Sequence, residues 1–140
     1  MSTLSSYLKN KLEAWVPVEG LDSFEVKLAY LSREDINKIR TAATRVSFNN
    51  RARVKQEELD QDLFIKEFIK ATVLDWKGFT IKVAAQLLPI VAPEGVADTT
   101  TIDFTIEEAI TLARESTFFD NWLNEAVFDL QTFRSRGAGE

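Results

Sequence analysis

The 140-residue chain has no cysteine and no histidine. Without thiols there is no disulfide, no thiolate-bound zinc and no cysteine nucleophile. Without imidazole there is no His-based catalytic triad and no His-based metal triad. Any catalysis would fall to carboxylates, Lys, Tyr, Ser or Thr. Glycine is scarce as well. The five glycines are scattered, and no glycine-rich loop precedes a helix to cradle a phosphate. Long apolar runs are missing too. None approaches the ~20 residues that span a bilayer. The opening MSTLSSYLKNKLEAW lacks the unbroken apolar segment of a signal peptide. These absences lead us to expect a cytoplasmic protein without metal, cofactor or membrane partner.

The chain is long enough for one domain with a real core. Its 10 Phe and 3 Trp predict a core rich in aromatics. The formal net charge is −5, which argues against general nucleic-acid binding. That charge is unevenly spread. Residues 36–56 contain no acid but carry Lys38, Arg40, Arg45, Arg51, Arg53 and Lys55. The rest of the chain holds 11 basic and 22 acidic residues. A basic flank on an acidic body can serve as a docking feature, with Arg51 and Arg53 as candidate partner-binding residues, or be a plain solvated face.

Residues 56–79, QEELDQDLFIKEFIKATVLDWKGF, organise the reading. At 3.6 residues per turn, Ile65, Phe68, Ile69, Thr72, Val73 and Trp76 share one face. Leu59, Leu63 and Leu74 form a second apolar arc. This predicts one long helix covered on two sides. Asp75, Trp76, Lys77 and Gly78 then look like its C-terminus, a cation in the last turn before a residue free to turn left-handed.

Ahead of it, Leu4, Tyr7, Leu8 and Leu12 recur at helical spacing. Phe24, Val26, Leu28 and Tyr30 alternate strictly, so 14–18 and 23–31 read as a small hairpin. Ser32 with Glu34 and Asp35 starts a helix whose stripe Ile36, Ile39, Ala43 and Val46 runs to about residue 46. Residues 47–55 then read as an exposed loop. Past the central stretch, Thr80 to Ala84 alternate as a strand would and Ala84 to Leu88 favour a helical turn; a short helix capped by Thr80 and ended by Pro89 is the preferred reading. A loop follows over 89–104, and Thr105 with Glu108 caps the next helix. Ser116 or Thr117 restarts helix to about 134, with the stripe Phe119, Trp122, Leu123, Ala126, Val127, Leu130 and Phe133. The expected fold is mainly α, a single compact helical domain over 1–133. Its small N-terminal β element covers about 14–31, and 134–140 form a disordered tail.

No stretch suggests an enzyme. Asp75, Asp103, Asp120 and Asp129 lie near aromatics, but most have a structural role at a helix end or on a polar face. Phe128 stands out. It falls opposite the last helix's apolar stripe, among Asn121, Asn124 and Glu125. It therefore marks a partner surface or is covered by another segment, such as the N-terminal helix.

The order of the motifs resembles the tail assembly chaperones of bacteriophages with long non-contractile tails. The residues that carry it are Val-Lys-Leu-Ala-Tyr-Leu-Ser-Arg-Glu at 26–34, Val-Leu-Asp-Trp-Lys-Gly-Phe at 73–79 and Ile-Asp-Phe-Thr-Ile-Glu-Glu-Ala at 102–109. Phe-Phe-Asp-Asn-Trp-Leu at 118–123 completes the set. With the opening Trp15-Val16 and the closing Asp129, Leu130 and Phe133, the resemblance covers about residues 14–133. The resemblance implies a non-enzymatic protein that keeps the tape measure protein soluble in the host cell cytoplasm. It would help bring tail tube subunits to it and be absent from the mature virion. Many such chaperones also exist in a longer frameshifted form that contacts the tube protein. This chain would be the short form, diverging within 134–140. Weak homo-oligomerisation is expected along one tape measure chain. Asp75, Trp76, Lys77, Gly78 and Trp122 would serve the scaffold. Two other readings remain, a head–tail connector or tail terminator and a small nucleic-acid-binding regulator using 36–56.

Overall fold

The structure, a computed structural model, describes residues 3–4, 12–21, 23–49 and 54–137. The expected helix over 4–12 lies almost wholly outside them. Two antiparallel strands open the described chain, β1 (Glu13–Pro17) and β2 (Glu25–Ala29), paired from Glu13 opposite Ala29 to Pro17 opposite Glu25. Inner positions Ala14, Val16, Val26 and Leu28 are buried. Outer positions carry the ion pair Lys27–Glu13 at 3.8 Å. An antiparallel sheet with one wet face has this alternation.

Helix α1 (Arg33–Ala42) begins at a complete capping box. Ser32 Oγ accepts from the Asp35 amide, and Asp35 accepts from the Ser32 amide. It is shorter than the stripe to residue 46 predicts. Thr44 Oγ1 turns back to the Arg40 carbonyl at 2.7 Å, and the β-branched Thr44 and Val46 continue as strand. β3 (Thr44–Asn49) pairs antiparallel with β4 (Val54–Leu59), and the Asp60 amide donates to the Ala43 carbonyl at the hairpin's base. The loop expected over 47–55 is therefore strand at 47–49 and 54–55.

The long central helix is also corrected. α2 (Gln61–Thr72) is capped by Asp60, which accepts from the Leu63 amide. It ends where Thr72 Oγ1 bonds the Phe68 carbonyl and Val73 turns extended. Residues 73–77 are a strand, β5 (Val73–Lys77), paired antiparallel with β2 in the order β1-β2-β5. The misleading signal has a definite source. Lys27 stands opposite Asp75 but Leu28 opposite Val73, so Leu74 is an extra, bulged residue. The bulge lets Val73 and Trp76, three apart, both face the core. That spacing imitates a helix.

Helix α3 (Ile81–Leu87) starts at Thr80, whose Oγ1 accepts from the Val83 amide. Beyond it the chain is irregular to Thr105, apart from a bridge between Thr80 and Thr101. α4 (Ile106–Glu115) is capped by Thr105, and α5 (Thr117–Ala126) by the buried Ser116, which accepts from the Phe119 amide. The single helix expected from 117 to 134 is broken after Ala126. Asp129 Oδ1 takes the Gln131 and Thr132 amides, starting α6 (Leu130–Gly137). The Val127 carbonyl released at the break accepts from the Leu31 amide.

The expected mainly helical domain with a small N-terminal hairpin is thus corrected to a mixed α and β fold. The described residues contain six helices, a three-stranded antiparallel sheet and a separate two-stranded one. One core joins the helices to the three-stranded sheet, drawn from the inner sheet face together with Ile69, Leu112, Phe119, Leu123 and Phe133. Each fully buried Phe or Leu there stabilises by roughly 1.5–3 kcal/mol.

Candidate interaction surface

The segment 75–79 holds two parts of the molecule together. Trp76 is buried, and its indole N–H donates to the Ile102 carbonyl at 2.9 Å. The Ile102 amide donates to the Phe79 carbonyl at 2.7 Å. Edge-on contact with Phe104 at 5.2 Å and stacking of Phe79 on Phe24 at 4.8 Å complete an aromatic knot. Two stretches 26 residues apart in sequence are thereby tied side by side. Lys77 is a strand residue instead of a helix-terminal cation. It pairs with Glu25 at 3.5 Å and lies 4.5 Å from the Trp15 ring centroid. Asp75 is exposed and accepts from the Trp76 amide. Gly78 has φ 74°, and a Cβ there would collide with the Ser23 carbonyl. All of these partners are internal.

Among the described residues, acidic side chains do not converge. Asp120 holds Asn124, and Asp129 caps α6. Among the described residues no three acidic side chains gather as a metal set would, and no buried side-chain N or O lacks a hydrogen-bond partner. No described helix is long and apolar enough to cross a membrane.

Three of the exposed large apolar residues lie on α5 or just after it. Phe128 lies in the α5–α6 turn and is 42% exposed. The N-terminal segment offered as its possible cover falls mostly outside the described residues. Leu130, placed by periodicity in the buried stripe, is also 42% exposed, because the break at 127–129 re-aims the chain. Sequence reading missed Phe118, which is 52% exposed. The signal was available: Phe118 and Phe119 are adjacent, and one helix face cannot bury both. Phe118 borders a depression of ≈ 210 Å³ lined also by Glu19, Gly20, Leu21, Gln86 and Leu87. Trp122, one turn on, is half-buried, with its ring 5.6 Å from that of Phe119.

Along the chain here charge is of one sign. Glu115, Asp120, Glu125 and Asp129 fall between Arg114 and Arg134, with no Lys or Arg among them. Arg114 is itself turned towards Asp62 on α2, at 3.8 Å. The opposite candidate, the basic stretch, is less uniform than its sequence suggests. Arg51 and Arg53 lie outside the described residues. β4 runs on to Glu57 and Glu58, in register with Val46 and Arg45.

Compared with protein-family models, curated proteins and solved structures, the chain matches none of them.

Proposed function

We propose that this chain is a non-enzymatic tail assembly chaperone of a phage with a long non-contractile tail. It binds the tape measure protein reversibly and helps recruit tail tube subunits. Two supports of different kind meet here. The tail-assembly part rests on the ordered resemblance of 26–34, 73–79, 102–109 and 118–123. The protein-binding part rests on one observation, the exposed Phe118, Phe128 and Leu130 on an acidic helix and turn. Apolar side chains held in water beside a filled core are what a protein-binding surface needs.

The test is the gene's setting together with the particle. A tail tube gene upstream and a very long gene with coiled-coil-like periodicity downstream are expected. Mass spectrometry of purified particles should find the tube protein and not this chain. Stoichiometric amounts of the chain in the particle would favour a connector or terminator. Tight nucleic-acid binding that falls steeply with salt would favour a regulator instead.

A further inference from the structure

We propose that the outer face of α5 binds a basic amphipathic helix of a partner protein, with the partner's apolar stripe on Phe118 and Trp122 and its cations over the acidic rim. The inference rests on the protein-binding reading above and specifies its surface and the chemistry of its ligand. Phe118, Asn121, Trp122 and Glu125 follow i, i+3, i+4, i+7 and so share one face of α5. Phe118 projects into solvent beside the half-buried Trp122, which rests on the buried Phe119 and forms a fixed shelf. Leu21 and Leu87 widen the apolar floor on one side. Phe128 extends the sequence pattern beyond the helix end. At ~1.5 Å per residue, the rise from 118 to 128 is about 15 Å, or nearly three turns of a docked helix.

A helix face has no unpaired backbone N–H or C=O groups to offer an added strand. Its side-chain ridge suits another helix. The charge decides which kind. No Lys or Arg occurs between Arg114 and Arg134, while four acids do. Asp120 and Asp129 already accept local hydrogen bonds, which leaves Glu115 and Glu125 as exposed carboxylates without an ion-pair partner among the described residues. Glu19 adds a carboxylate on the far side of the depression. An acidic or uniformly apolar helix would leave this rim unmatched.

The probe is a fluorescent Leu/Lys peptide of about five turns, with leucines at i, i+3, i+4 and i+7. It is titrated with the full chain and followed by anisotropy. A peptide with glutamate in place of lysine is the control. Wild type should bind the Leu/Lys peptide only. Phe118→Ser and Glu125→Lys should each weaken binding at least ~10-fold with unchanged melting curves. Wild type failing to bind, or both variants binding within about twofold of it, would overturn the proposal. If Phe118→Ser does not fold, Glu125→Lys decides alone. A face that instead drives self-association, seen by sedimentation and lost in both variants without peptide binding, would also overturn it. The double variant still solubilising the tape measure protein would remove this face as the client surface while leaving the chaperone reading intact.

Discussion

Replacing Gly78 with alanine is expected to destabilise the fold by about 3 kcal/mol. Gly78 has φ 74°, in the left-handed region. An L-residue there costs roughly 1–2 kcal/mol. The new Cβ also lands on the backbone of Ser23, with the carbonyl carbon 2.7 Å away. Ser23 has little room to yield, because it is itself at φ 58° and precedes the fully buried Phe24. Forcing that contact apart adds roughly 1–3 kcal/mol. The lower entropy of the unfolded alanine chain returns about 0.4–1 kcal/mol. For a chain of this length, about 3 kcal/mol corresponds to a fall in Tm of about 10 °C. The matched control is Gly95→Ala. Gly95 has φ 87°, but an added methyl would meet nothing within 4 Å, so only the conformational part applies, about 1 kcal/mol. Urea and thermal unfolding followed by circular dichroism measure both. Equal losses in the two variants would refute the reasoning, since the packing of 78 against 23 would then contribute nothing.

Other substitutions separate the remaining contacts. Trp76→Phe keeps a ring in the core but leaves the Ile102 carbonyl without its donor, and should lower unfolding free energy by about 1–2 kcal/mol in urea titration. Ser116→Ala removes a buried cap to the Phe119 amide and should destabilise by about 1–2 kcal/mol, more than Thr105→Ala at its exposed cap, as paired melts would show. Lys77→Ala loses an exposed ion pair and a contact with Trp15; after solvent screening, its Tm should shift by no more than a few degrees, equivalent to less than about 1 kcal/mol. Phe128→Ser should melt like wild type, because the side chain is already 42% exposed, yet bind client or a second copy more weakly in sedimentation.

Local chemistry was legible at four helix starts, though not at the caps Asp60 and Asp129. Ser32, Thr80, Thr105 and Ser116 all cap the helices they precede, and the pairing of β1 with β2 follows the strict alternation of 24–30. Periodicity failed where two elements abut with their apolar positions in phase. The bulge at Leu74 keeps Val73 and Trp76 at helical spacing through a strand. Asp129 interrupts an apolar stripe that continues on either side of it. The hairpin β3–β4 was hidden for a different reason. Its strands form a separate two-stranded sheet, and their sequences TRVSFN and VKQEEL hold no apolar run to announce them. At the candidate surface, Phe128 was visible as an aromatic among polar neighbours. Phe118 was overlooked, although its place beside the buried Phe119 already turns it away from the buried stripe. The segment 75–79 was legible as a motif, but its role as the tie between β5 and 102–104 depends on contacts remote in sequence.

The central claim is reversible protein binding during tail assembly, and co-expression tests it most directly. The tape measure protein that the proposal pairs with this chain should be expressed alone and together with it, and its soluble fraction measured. The account predicts an insoluble product alone and a soluble complex containing this chain when the two are made together. A tape measure protein that stays equally insoluble in the presence of the folded chain would contradict it.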